Sequence, residues 1–190
     1  MPDNYFENLV YNKSNFSDTP LPKGEFEKCE FLNCDFLNSD LSEINFIDCT
    51  FKECNLSNAL LDLTTLNNIR FKDCKMNGLR FDSCNSFGLS FYFDGCRLNH
   101  STFFKTRIAK TIFTGCNLND TDFTGCDLTG SVFKNCDLNG AVFDRTVLEK
   151  ADFRTSFNII LDPENNRLKK AKFSLESVVG LLRKYDLEIE

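Results

Sequence analysis

The chain has 190 residues, 42% of them hydrophobic, which suits one domain with its own core. A net charge of -6 at pH 7 argues against nonspecific adhesion to nucleic acid or anionic lipid and favours a basic partner. The N-terminus lacks the basic stretch, apolar run and small-residue cleavage site of a signal peptide, and no segment approaches about 18 consecutive apolar residues, so a cytoplasmic protein without membrane contact is expected. Within that frame there are 21 Phe, 4 Tyr, no Trp, 10 Cys and a single His, and Phe and Cys share the property of burying well without a polar partner.

From the N-terminus onward the sequence repeats every five residues. Units such as CDFLN, CTFKE, CNLSN, CDLTG and ADFRT place Phe or Leu centrally, with a small residue two positions earlier. Phe6 and Tyr11 fit this register, but Asn4 and Leu9 are poor small residues, and the first ten residues are expected to be irregular. Central residues then run in steps of five from Phe16 to Phe81, and again from Phe93 to Phe153. The two series are offset by two residues, which places an insertion within residues 85–92 and makes Ser86, Phe87 and Tyr92 its loop candidates. After the Asp162-Pro163 turn, Leu168 and Phe173 resume the register, so the repeat is expected to occupy residues 1–173.

Residues 174–190 change character. Ser174 can cap a helix whose Leu175, Val178, Val179 and Leu182 form one apolar stripe, with Tyr185 beyond it. The stripe can either cap only its own last coil or also meet a second copy in a two-fold dimer. Gly180, costly in a helix, hints at a close approach, while Leu187 and Ile189 alternate with acids as in a short strand.

A period of five matches neither a helical face nor simple strand alternation, so each unit must be one short side of a coil that turns at every repeat. Stepping by four units aligns Phe31, Phe51 and Phe71, and a 22-residue step across the insertion continues the column through Phe93, Phe113, Phe133, Phe153 and Phe173. All ten cysteines lie two places before a central residue, and six of them form a second column. Asn77, Asn99, Asn119 and Asn139 form a third, expected to be an amide ladder.

These A/C-D/N-L/F-x-x units are similar to those of the pentapeptide-repeat proteins over residues 11–173. The resemblance implies an all-β fold: a right-handed quadrilateral β-helix, a pentapeptide-repeat solenoid with a short C-terminal α-helix. The tail from Phe153 onward resembles the Qnr-like branch of quinolone-resistance and microcin-immunity proteins. That resemblance implies a homodimer through the C-terminal helix, a DNA-mimicking surface, and a type II topoisomerase such as DNA gyrase as partner, without direct nucleic-acid binding.

Chemistry is sparse. The cysteines are spaced one per side or coil, not as converging pairs, so they read as small buried hydrophobes, not as zinc ligands. His100 falls at a corner with no nucleophile placed to use it. No phosphate loop, nucleophile motif or carboxylate pair is present, so no catalytic residue, metal or cofactor is expected and function must lie on outer faces, at the insertion or at the ends. Sorting outward residues by side makes one side acidic, with Asp40, Glu43, Asp62, Asp82, Asp122 and Asp144 as the partner-binding candidates. That side offers about one carboxylate per coil of roughly 5 Å, against about one charge per 1.7 Å in duplex DNA. Two readings follow: a DNA-mimicking topoisomerase binder, and a general interaction scaffold whose acids only keep it soluble.

Overall fold

A residue buried every fifth position forces the backbone to turn at the end of each unit, and four such turns return the chain above its start. The computed structural model describes residues 4–188 and has this form: a four-sided parallel β-solenoid ending in a helix. One side is a sheet of β1 (Tyr5–Glu7), β3 (Glu25–Glu27), β5 (Asn45–Ile47) and β7 (Thr65–Asn67) in that order. The next carries β2 (Val10–Asn12), β4 (Glu30–Leu32), β6 (Thr50–Lys52), β8 (Ile69–Lys72), β9 (Phe91–Asp94), β10 (Ile112–Thr114) and β11 (Val132–Lys134), each paired in parallel with the next. The remaining two sides are held by single bridges, such as Asn55↔Lys75↔Arg97↔Asn117 and Arg80↔Thr102↔Asp122↔Val142.

Corners are made by the residue two places after the central one, which in most units takes a left-handed conformation: φ is 54° at Asn33, 56° at Lys105 and 58° at His100. Such a conformation costs an ordinary L-residue about 1–2 kcal/mol. The strain is offset inside the coil. Phe113 is fully buried, stacked on Phe93 and Phe133 with ring centroids 5.0 and 4.9 Å away, and meets Phe123 of the adjoining column edge-on at 6.1 Å. Stacking along columns and edge-to-face contact between them are both favourable for aromatic quadrupoles.

The small position has its own chemistry. In many units its hydroxyl or thiol donates to the carbonyl of the central residue 23 positions earlier: Ser39 to Phe16 at 3.0 Å, Thr64 to Leu41 at 2.8 Å, Thr121 to Leu98 at 3.0 Å and Cys54 to Phe31 at 3.2 Å, whereas Thr106 and Thr111 donate within their own coil to Phe103 and Ile108. Across the insertion the step is 25, from Ser101 to Met76 at 2.7 Å. Ser, Thr and Cys recur there because each is small and carries one donor for a carbonyl that would otherwise lack its second partner.

The insertion leaves the stacking unchanged, since Ile69 pairs with Phe91 and Phe71 with Phe93. The side it enters loses its central apolar residue. Leu89, 8% exposed, and Phe91, 7% exposed, refill that volume, and Phe91 occupies a small position with its ring edge-on to Phe81 at 5.3 Å. Phe87 instead projects outward, 84% exposed, and Tyr92 lies on the outer face of β9, also exposed.

Three expectations need correction. The first coil is regular: β1 and β2 pair in register with β3 and β4, and Phe6 and Tyr11 stack on Phe26 and Phe31. Leu9 is accommodated there because it sits at the end of the rod and is left exposed. The asparagine column stacks, but as backbone: Gly78 N–H donates to Asn99 O and His100 N–H to Asn119 O, while Asn77 Oδ1 and Asn119 Oδ1 are buried without a partner. At the C-terminus Leu187 and Glu188 form no strand, and Ile189 lies outside the described residues.

The helix α1 (Leu175–Leu182) starts at Ser174, whose hydroxyl accepts from Ser177 N–H at 3.0 Å while Ser177 Oγ accepts from Ser174 N–H at 2.9 Å. It rests on the last coil through Ser177, Gly180, Leu181 and, one turn on, Lys184, which pairs with Asp162 at 2.6 Å and Glu164 at 2.8 Å. The predicted stripe is therefore not the capping face. Leu175 is 90% exposed, Val179, Leu182 and Tyr185 are exposed, and Val178 is half-buried. Gly180 serves a close approach to the chain's own Ile159 carbonyl, where an added Cβ would collide.

Two measurements check this packing. Phe113→Ala should cost about 3–5 kcal/mol in urea unfolding, because the flanking rings cannot collapse into the void. Gly180→Ala should destabilise by about 1–3 kcal/mol despite alanine's better helix propensity, since the Ile159 carbonyl must move; a stabilised variant would refute the close approach.

Candidate interaction surfaces

The inward groups offer little reactivity. All ten cysteines are free and buried. Burial pushes the Cys84 and Cys126 thiols up to about 12, which suppresses the thiolate that nucleophilic or redox chemistry requires. Among the described residues no group of three His, Cys, Asp or Glu converges as a metal site would. His100 is an exposed corner residue with Nδ1 3.7 Å from Asp120 Oδ2.

The six acids expected to form one binding side do share a side, but in different states. Asp82 is largely buried and accepts from Arg80 at 2.9 Å, and Asp144 accepts from Arg145 at 2.9 Å. Asp122 accepts the Thr124 N–H at 2.8 Å, closing its own turn. Asp40 does the same for Ser42 at 2.9 Å and lies 3.4 Å from Lys23; the Ser42 hydrogen bonds hold its carboxyl below its usual range. Only Glu43 and Asp62 take part in neither an ion pair nor a side-chain hydrogen bond among the described residues. The column is thus partly neutralised in place.

A stronger asymmetry runs along the rod, and sorting by side conceals it. Residues 4–64, the first three coils, hold eleven carboxylates against four lysines, while residues 65–190 hold sixteen against eighteen lysines and arginines. Three coils rise about 14 Å, so a net charge of −7 there amounts to one charge per about 2 Å, close to the one per about 1.7 Å of duplex DNA. Counting all four sides is the like-for-like comparison, because the DNA figure counts both strands. Glu7, Glu25, Glu27, Glu30 and Asp48 belong to this end together with Asp40, Glu43 and Asp62. Lys28 bridges Glu7 and Glu27 at 3.2 and 2.7 Å, and Tyr5 donates to Glu27 at 2.6 Å; the Lys28 contact, then the Tyr5 bond, hold the Glu27 carboxyl below its usual range. The signal was present in the sequence as a count by coil.

Two further surfaces stand apart. The exposed face of α1 continues into Ile160 and Leu187, also exposed. Beside the insertion lies a groove of about 540 Å³ between residues 82–89 and residues 104–107, which brings Ser86 and Phe87 near Asp82 but leaves Tyr92 outside its lining. No helix among the described residues is long and apolar enough to cross a membrane.

Comparisons with known proteins agree with this architecture. The sequence profile described as a pentapeptide repeat region matches residues 24–103 and 80–153. No curated protein matches the chain in sequence. Among solved structures, a trypsin-treated variant of QnrB1, described as a plasmid-mediated fluoroquinolone resistance protein, superposes with a TM-score of 0.51 at 19% identity, covering 98% of each chain. Full-length QnrB1 gives 0.46 at 21% identity over 97% of this chain and 100% of that one. HetL from the cyanobacterium Nostoc sp. strain PCC 7120, described as involved in heterocyst differentiation regulation, gives 0.35 at 17% identity over 91% and 83%. At such identities the likeness concerns the fold. With a profile spanning most of the repeat and a parallel solenoid that buries two residues in most units of five, the chain belongs to the pentapeptide-repeat family.

Proposed function

We propose that this chain is a non-enzymatic, protein-binding rod of the cytoplasm whose acidic N-terminal end stands in for duplex DNA in the basic cleft of a type II topoisomerase, DNA gyrase or topoisomerase IV, modulating the enzyme or shielding it from quinolones or toxins. The observation that carries this reading is the concentration of net negative charge in the first three coils at nearly the linear density of DNA. Complementarity of that kind accelerates encounter and selects cationic clefts, and it weakens as salt rises. The sequence resemblance of the tail to the Qnr-like branch and the description of QnrB1 as a resistance protein point the same way. No cofactor, metal or direct nucleic-acid contact enters the mechanism.

A general interaction scaffold is the second reading. The pairing of Asp82 with Arg80 and of Asp144 with Arg145 favours it, because acids satisfied within the chain have less to offer a partner.

Gyrase supercoiling at increasing protein concentration, at two salt concentrations and with and without ciprofloxacin, separates the two. The DNA-mimic reading expects salt-sensitive inhibition or drug protection, reduced at least about tenfold in potency by combining Glu25→Gln, Glu30→Gln, Asp40→Asn and Glu43→Gln, all at outward positions. An unaltered effect in that variant, or no effect of the wild type, would leave the scaffold.

The second copy is part of the same proposal. Leu175, Val179, Leu182 and Tyr185 stay exposed after the helix has capped its own coil, and a two-fold partner would cover them. Sedimentation equilibrium should report a dimer that Val179→Glu with Leu182→Glu converts to a monomer of unchanged melting temperature. A wild-type monomer would remove the dimer from the reading.

A further inference from the structure

The groove beside the insertion gathers several unsatisfied features in one place. Phe87 stands 84% exposed beside it, and Phe104, 39% exposed, lines it from the neighbouring coil. Leu89 lines the wall. Asp82 contributes one carboxylate oxygen to Arg80 at 2.9 Å, while the other, Oδ1, is buried with no hydrogen-bond partner. Lys105 and Arg107 also line the groove, and neither takes part in an ion pair or side-chain hydrogen bond among the described residues. The Lys105 ammonium itself sits over the Phe104 ring, 4.8 Å from its centroid, a cation–π contact that leaves it outside any ion pair.

Each feature asks for a complementary group. Two unpaired cations call for an anion. Exposed aromatic rings call for an apolar side chain. A bare phosphate or a nucleic-acid backbone supplies the anion but brings no apolar side chain to Phe87, Leu89 and Phe104. A peptide supplies both, with its carboxylates toward Lys105 and Arg107 and an aromatic or branched aliphatic side chain against Phe87, Leu89 and Phe104.

We infer that the insertion groove is a docking site for a short acidic peptide segment of a partner protein, anchored by one aromatic or branched aliphatic residue. The inference rests on reading the chain as a protein-binding rod, and not on the topoisomerase. It also gives the two-residue insertion a role: removing the central apolar residue from one side opens the groove and turns Phe87 outward.

The test uses the full chain and three fluorescein-labelled peptides, Asp-Glu-Phe-Asp-Glu, Asp-Glu-Gly-Asp-Glu and Lys-Lys-Phe-Lys-Lys, in fluorescence anisotropy. The first should bind at least about tenfold more tightly than either other, and amide shift changes on titration should concentrate in residues 82–89 and 104–107. Phe87→Ser and the pair Lys105→Glu with Arg107→Glu should each weaken binding at least about tenfold without altering the circular dichroism. Equal binding of the glycine peptide, shift changes centred on Lys150, Lys169 and Lys170, or no binding at millimolar peptide would overturn the groove. Phe87→Ser should leave any gyrase effect intact. Failure of peptide binding with a persisting gyrase effect therefore removes the groove alone, and peptide binding without a gyrase effect removes the topoisomerase reading alone.

Discussion

Everything in this molecule depends on one constraint: a central apolar side chain is buried at nearly every side of every coil, directly above its counterpart one coil earlier. That requirement spaces the central residues by five and brings rings such as Phe93, Phe113 and Phe133 to stacking distance. It also compels the backbone into left-handed corners at residues as ill-suited to them as Lys105 and Leu63. The corners are strained locally, and the stack over-determines them. Hydroxyls and thiols at small positions such as Ser39, Cys54 and Thr64 add a second tie, satisfying the carbonyl of a central residue in the coil below.

Such a core leaves function to the outside. Outward positions are released from packing and can hold any charge, so composition along the rod becomes the variable that distinguishes one end from the other. Here the first three coils are strongly acidic and the remainder is slightly basic. The same freedom explains why a two-residue insertion is tolerated: coil-to-coil pairing resumes at Phe91 and Phe93, and Leu89 with Phe91 restores the lost apolar volume. What the insertion changes is the surface, where it leaves Phe87, Asp82, Lys105 and Arg107 around an open groove.

The two ends solve different problems. At the N-terminal end Phe6 and Tyr11 close the stack as regular members of it. At the C-terminal end α1 lays a face of small residues, Ser177 and Gly180, against the Ile159–Ile160 backbone and ties itself down through Lys184 and Tyr185 to Asp162 and Glu164. Because the small face is the one that docks, the larger apolar residues of the helix remain outside and available to a second copy.

The amino-acid sequence by itself determined the repeat, its register, the columns of Phe and Cys, the place and length of the insertion and the start of the helix at Ser174, because a five-residue period and a capping serine are local signals. Tertiary structure decided the rest. Which face of α1 packs depended on how near its backbone could approach the Ile159 carbonyl, and side-chain periodicity does not record that distance. Whether Asp82 or Asp144 is free depended on arginines within reach, and whether Leu9 was tolerable depended on its lying at the end of the rod. The groove arose only when two segments some 20 residues apart were brought side by side by the coil.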